Sequence, residues 1–392
     1  MIPGGKMFNK IEQVFDNLFM KVRPVPAGMY QYQAPADALL PYKWHLRVES
    51  DGTGMMVLNA STVLHLNQTA IEYAYYLAQG KKKAEIIDLV SDRYDVDKAQ
   101  AEKDLDEFID KITLLIGSED LDPETYLEMD RVLPHTKKLT APLRIDCAIT
   151  YKVSSGTESA VAPNERVTRE LSTEEWNAVL DTISNAGIPH VIFTGGEPTL
   201  RNDLPDLISK TEQIGVVCGL LTDGRRLTDR TYLKSLLTSG LDHIMLLADD
   251  ESQDFWQALE LLMPEDIAVT VHVTLTKTNK SDFSALLEKL AVQKVTTLSL
   301  SAEVEALSKQ LDEASHKAAA LGMRLVWDLP VPYSACHPMA LEAQEAGSRL
   351  PEGAGKAWLY IEPDGDVLPA QGVNRVLGNI LSDPWSRIWK RR

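Results

Sequence analysis

The stretch "NAGIPHVIFTGGEPTL", Asn185–Leu200, decides the fold. Gly187 stops a helix, the apolar run that follows is a strand, and paired glycines end that strand in a turn. Just upstream, Ser172 and Glu175 form a capping box, and Trp176, Val179, Leu180 and Ile183 make the buried stripe of the helix between them. One element earlier, Leu143, Ile145, Cys147 and Ile149 share a strand face. Downstream the same unit repeats through "GVVCGLLT", "DHIMLLA", "AVTVHVTLT", "VTTLSLS" and "MRLVWDL", with helical patterns between. Strands with helical crossovers demand a parallel sheet, either a partial or full barrel or an open doubly wound sheet.

This alternation occupies residues 140–330. After Pro330 it gives way to a hairpin, "AWLYIEPDGDVLPA", and a short helix, "DPWSRIW", within a small extension at 331–392. Before it, the acidic and then basic "SEDLDPETYLEMDRVLPHTKK" reads as a linker, taken as 119–139. Residues 41–118 form a further module. "KWHLRVES", a "DGTG" turn and "MMVLN" predict a hairpin, and three helices follow. The third starts at Asp97, an N-cap with Gln100 three residues on, and buries Ala101, Leu105, Phe108, Ile109 and Ile112. A hairpin plus three helices is winged-helix-like. Residues 1–40, interrupted by Pro24, Pro26 and Pro35, read as a short helix and an extended arm.

A chain of 392 residues is long enough for these several cores. Its net charge of −17 argues against general affinity for nucleic acid or anionic lipid. No window approaches a membrane span, and the N-terminus lacks the pattern of a signal peptide. Three widely spaced cysteines, Cys147, Cys218 and Cys336, fit a reducing cytoplasm and make no local metal motif. A cytoplasmic location is expected.

At the level of motifs, "RIDCAITYK", "ELSTEEW" and "FTGGEPTLRNDLPDLI" resemble the start of a radical S-adenosylmethionine (SAM) enzyme. "LTDGRRLTD" resembles the next strand end of that family. The C-terminal "LYIEPDGDVLPAQGVNRVLGNILSDPWSRIW" is similar to a SPASM or twitch extension, and "LNQTAIEYAYYLAQGKKKAEIIDLVSDRYDVD" to a PqqD-type domain that recognises precursor leader peptides. The resemblance implies a peptide maturase: a partial (β/α) barrel of the radical SAM type, an N-terminal winged-helix-like domain and a small α+β extension. It also implies that Thr194, Gly195, Gly196, Glu197 and Pro198 bind SAM, the strand end meeting the amino group of its methionine. A glycine turn that merely closes the strand is the other reading of those residues.

One part of the pattern is missing. The family's loop after the first strand holds three cysteines as CxxxCxxC, ligands to three irons of a [4Fe–4S] cluster. Aligned on "ITYK", these positions are Val153, Thr157 and Ala160, with the spacing preserved. Valine and alanine carry no donor atom and threonine is a poor ligand for such a cluster. In the extension, the family's "PC" is Pro369-Ala370. The expectation is therefore a degenerate member without the cluster, binding SAM weakly. It would hold a precursor or leader peptide through the N-terminal domain and pair with an intact radical SAM paralogue. The alternative is an active enzyme whose cluster has non-standard ligation through Cys147, Cys218 or Cys336. Two further signals are weaker: "EGAGKAW" lacks the GxxxxGK(S/T) spacing of a phosphate loop and has Ala357 after the lysine, and the acids of "ADDES", a possible metal site, are favoured at a helix start anyway.

Overall fold

The computed structural model describes residues 24–32, 39–40, 44–49, 51–58, 62–117, 139–156, 167–276, 283–302, 305–326, 353–371, 373 and 375–392. The chain divides into two compact units, Met1–Val132 and Leu133–Arg392. Among the described residues no helix is long and apolar enough to cross a membrane.

Among the described residues the first unit is a four-stranded antiparallel sheet in the order β1-β2-β3-β4, followed by three helices. The predicted hairpin is β2 (Trp44–Val48) and β3 (Gly54–Leu58), in register from Trp44–Leu58 to Val48–Gly54 around a turn where Gly52 takes a φ of 83°. Two strands extend it beyond the sequence reading. The segment read as an arm supplies β1 (Gly28–Tyr32), and β4 (Thr62–Leu66) precedes the first helix. Helix α1 (Gln68–Ala78) is capped by Asn67, whose side chain accepts the Ala70 N–H; α2 spans Lys83–Tyr94 and α3 Lys98–Gly117. Asp97 does cap α3, accepting from the Ala99 N–H, but Gln100 turns to Asp104 instead of closing a capping box. Ala101, Leu105, Phe108 and Ile112 of α3 are buried with Trp44, Leu46, Met56 and Leu58, so the apolar stripe finds the sheet as its period requires.

The second unit contains a ten-stranded sheet in the order β11-β10-β9-β8-β7-β6-β5-β12-β13-β14. Its parallel run is β5 (Arg144–Thr150), β6 (His190–Gly195), β7 (Val217–Thr222), β8 (His243–Leu247), β9 (Ala268–Leu275), β10 (Thr297–Ala302) and β11 (Arg324–Leu325). Between these strands run α4 (Thr173–Asn185), α5 (Leu204–Gln213), α6 (Arg230–Thr238), α7 (Gln253–Leu262), α8 (Phe283–Val292) and α9 (Ser308–Ala320). Strand order follows chain order without reversal. Right-handed crossovers then put every connecting helix on one face, which selects the partial barrel over the doubly wound sheet.

The C-terminal strands β12 (Trp358–Ile361), β13 (Asp366–Leu368) and β14 (Gly378–Asn379) belong to this same sheet, ahead of the terminal helix α10 (Trp385–Arg391). β12 lies parallel to β5, Trp358 beside Arg144 and Ile361 beside Cys147. The extension read as an appendage is continuous with the core, because its apolar Leu359 and Ile361 join the same cluster as Ile145 and Cys147.

Alternation assigns the two faces. Ile145, Cys147, Ile149, Val191, Phe193, Cys218, Leu220, Ile244, Leu246, Val271 and Leu298 pack with the helices. Their alternates form an inner face. At the N-terminal ends of its strands this face is filled by matched polar groups. Arg144 pairs with Asp146 at 2.8 Å and lies over the Trp358 ring at 5.2 Å. His190 and His243 meet Nε2 to Nε2 at 2.8 Å. Gly219 makes room for them: a Cβ there would stand 2.2 Å from the His243 ring. Burial, with Arg144 near by, pushes the His243 pKa down to about 4.

Candidate functional site

At the opposite, C-terminal ends of the strands, β5 runs into the loop Tyr151–Gly156 and β6 into the glycine turn. The two are stitched together through backbone. Gly196 N–H donates to Thr150 O at 2.7 Å, and Glu197 N–H to Lys152 O at 2.6 Å. A Cβ on Gly195 would lie 2.0 Å from Thr150 O, and one on Gly196 the same distance from Lys152 O. Gly195 also holds a φ of 129°, a conformation open to glycine. Both glycines are thus required by the close seating of the loop on β6.

Glu197 faces inward. Its Oε1 accepts from Thr199 N–H at 3.0 Å, Thr199 Oγ1 at 2.6 Å and Thr222 Oγ1 at 2.7 Å, and its Oε2 from Asp223 N–H at 2.8 Å. The carboxyl ties the end of β6 to the end of β7. Burial and the Asp223 charge push its pKa up to about 7, against the four donors that favour the carboxylate. Pro198 opens the short 3-10 turn Pro198–Leu200, where its missing N–H costs nothing. Of the five residues assigned to SAM by resemblance, Thr194 has the chemistry of a ligand contact. It is fully buried, on the inner face, and its Oγ1 has no hydrogen-bond partner among the described residues. An orphaned hydroxyl at the C-terminal end of a parallel strand fits a bound polar group there.

The loop has further ties that residue order alone does not disclose. Glu170 accepts from Thr150 Oγ1 at 2.5 Å and Tyr151 N–H at 3.3 Å. Tyr151 Oη donates to Glu362 at 3.0 Å and lies 3.2 Å from Tyr360 Oη, joining the loop to β12 and its turn. Arg225, in the turn after β7, donates to Ser155 O at 2.6 Å. The basic pair in "DGRRL" was the available signal for that last contact, though without a position for its partner. Val153 sits half-buried on this framework and offers no ligand atom, whereas Thr157 and Ala160 lie outside the described residues. Cys147 and Cys218 pack among the helices on the far face of the sheet, and burial holds the Cys147 thiol well above its usual range. Cys336 is outside the described residues. Among the described residues, the donor set on this side of the sheet contains no thiol and so does not fit a thiolate-ligated cluster.

The two weaker motifs fall in a turn and before a helix. In "EGAGKAW" the described Gly353–Trp358 is a tight turn into β12, closed by Gly355 N–H to Pro369 O at 2.7 Å. In "ADDES", Ser252 precedes α7, and Asp250 O accepts the Trp256 indole N–H at 3.0 Å.

Comparisons with known proteins agree with this geometry. The radical SAM superfamily profile matches residues 146–265, and that of coenzyme PQQ synthesis protein D (PqqD) matches 54–113. The chain is 25% identical over 303 residues to a PqqA peptide cyclase of Rhizobium meliloti, covering 68% of this chain and 76% of that one. It is 32% identical over 139 residues to the Fe-coproporphyrin III synthase of Methanosarcina barkeri, a match spanning 32% of this chain and 35% of the relative. Among solved structures, SuiB of Streptococcus suis, bound to precursor peptide SuiA, aligns over 86% of this chain and 84% of its own, with a TM-score of 0.54 and 14% identity. The chain therefore joins a PqqD domain to a radical SAM core.

Proposed function

We propose that this radical SAM protein with its PqqD-type domain is a peptide-binding partner in ribosomal-peptide modification that does not itself run cluster-dependent radical chemistry. The observation that carries the reading is the loop after β5. It keeps its seat on Gly195 and Gly196 through backbone bonds and Arg225, with Val153 where a thiolate would be needed. The described thiols face away from it. A peptide role is supported by the PqqD domain and by relatives whose names and titles specify the peptides PqqA and SuiA. The four-stranded sheet of the first unit ends in β1 and β4, edges of the kind to which an extended peptide adds as a further strand.

SAM would be held by the β6 strand end of Thr194–Pro198. Without cluster irons it loses the bidentate anchor through its methionine amine and carboxylate, so its affinity is weak. An intact radical SAM paralogue would supply the missing chemistry, with this chain presenting the peptide to it in the cytoplasm.

Anaerobic reconstitution tests the catalytic half of the proposal. The expected result is no stoichiometric iron or sulfide and no SAM cleavage. About four irons per chain with SAM cleavage would overturn it in favour of an active enzyme with non-standard ligation. Titration with precursor peptides encoded near this chain, and pull-down with a cluster-bearing paralogue, test the binding half. Silence in both assays would remove it.

A further inference from the structure

The inner face of the second unit is not uniform. Along β6, β7 and β8 the inner-face residues Ile192, Leu221, Met245 and Leu247 form one apolar cluster. Crossing to β9 and β10, every inner position toward the C-terminal end is polar and none carries a charged group: His272, Thr274, Ser299 and Ser301. Register places them side by side, His272 opposite Ser299 and Thr274 opposite Ser301, with Leu247 next to His272 across β8.

The four groups form one hydrogen-bonded wall. His272 Nδ1 lies 3.0 Å from Ser299 Oγ, and Nε2 lies 3.1 Å from Ser301 Oγ and 3.2 Å from Thr274 Oγ1. Thr274 Oγ1 and Ser301 Oγ are 3.1 Å apart. Burial alone holds the imidazole neutral, pushing its pKa down to about 3. His272 and Ser299 are 2% and 4% exposed, Ser301 8%, and Thr274 is half-buried, so the network opens outward at the residues next to the strand ends. That is the end of the sheet at which Thr194 and the glycine turn sit.

Four polar side chains where neighbouring strands carry Leu and Met are not what core packing asks for. An apolar set of similar volume would spare the desolvation of a histidine and three hydroxyls. Rotatable hydroxyls both donate and accept, which matches a ligand group that does the same, such as a carboxamide or an alcohol. A charged group would find no counter-ion among these four side chains and would lose its hydration.

Resting on the peptide-binding reading above, we infer that the Thr274–Ser301 end of this wall is a specificity subsite. It would receive an uncharged, hydrogen-bonding side chain (Asn, Gln, Ser or Thr) of a peptide that reaches the core, the adjacent apolar cluster taking its aliphatic part. The test uses the full chain and small probes without a leader, N-acetyl-X-N-methylamides with X = Asn, Ser, Asp, Lys or Leu, followed by saturation-transfer NMR. The Asn and Ser probes should be bound in preference to Asp and Lys. Thr274→Val with Ser301→Ala should weaken that binding about threefold to tenfold, as expected for a lost neutral hydrogen bond. Exchanging the hydroxyl residues, Thr274→Ser with Ser301→Thr, should preserve it. A merely structural wall would show the same transfer for all probes, or no change in the first variant with its melting transition intact, and either result overturns the assignment. Binding of adenosine alone, lost in the same variant, would give the wall to a nucleoside and also overturn it. Because the probes carry no leader, failure here is separate from failure of the first unit to bind a precursor.

Discussion

The two ends of the inner face handle polarity in different ways. At the N-terminal ends of the strands each buried polar group meets another directly: Arg144 with Asp146, His190 with His243. At the C-terminal ends the glycine turn and Arg225 spend their bonds on a loop, Glu197 clasps the end of β7, and Thr194 keeps a hydroxyl without a partner among the described residues. One end is a closed plug that serves stability. The other is a frame around a place for something else, the division of labour that parallel α/β sheets impose on their two ends.

The largest effect should come from breaking the plug. Arg144→Ala strands the Asp146 carboxylate in the core and should destabilise the second unit by about 3–5 kcal/mol, read by chemical denaturation. Leucine at both positions should recover much of that loss; a double variant as unstable as the single one would show that the ion pair does more than fill the space. Glu197→Ala, at the open end, leaves four donors facing a cavity, and about 3 kcal/mol should be lost. Here the loop should also loosen, so proteolysis within Tyr151–Gly156 should accelerate more than in Arg144→Ala.

Acid reaches both ends through their titrating groups. His243 and His272 have folded pKa values near 4 and 3, below the ordinary histidine range. Their stabilisation is full above pH 6.5 and falls with pH below it, by about 2 kcal/mol each between pH 7 and 5. Glu197 runs the other way: with its folded pKa raised to about 7, stability is gained as pH falls toward 4.5, by about 2 kcal/mol over the same interval. These three groups together should therefore cost about 2 kcal/mol net, and Glu197→Gln should make their acid loss about twice as steep. Denaturation midpoints at pH 7 and 5 measure both slopes; equal slopes would show that Glu197 is ionised throughout. The smallest effect is expected at Thr194→Val, within about 1 kcal/mol of neutral, since the hydroxyl has no partner among the described residues. Any weak SAM binding, followed by equilibrium dialysis, should fall in that variant while the melting transition stays.

Much of this contrast was legible where the determinants are local. The capping box of Ser172 and Glu175 forms as written, with Glu175 N–H to Ser172 Oγ at 3.2 Å and Ser172 N–H to Glu175 at 2.9 Å. The glycine turn after β6 was visible, and so was the cysteine-free loop before it. What the glycines do was not visible, because the atoms they make room for belong to Thr150 and Lys152, on another strand. That Glu197 also clasps β7 was not visible, since Thr222 and Asp223 come from the next βα unit. The β9–β10 wall is present in "VTVHVTLT" and "TTLSLS" as an alternation of polar and apolar residues, but only the register of the two strands makes it one network. β1 escaped detection because prolines flank a five-residue strand whose partner, β2, supplies all of its pairing.

The pairing of β12 with β5 has a consequence for how the protein is made. β5 is among the first strands of the second unit to leave the ribosome, and its outer edge stays open until Trp358 arrives to lie beside Arg144. For that whole interval the Arg144–Asp146 pair lacks the aromatic ring that later covers it, and the strand is open to mispairing. So late a closure of so early a strand makes the second unit a slow, high-contact-order folder. Its yield in a cell should depend on the C-terminal strands as strongly as on the glycine turn.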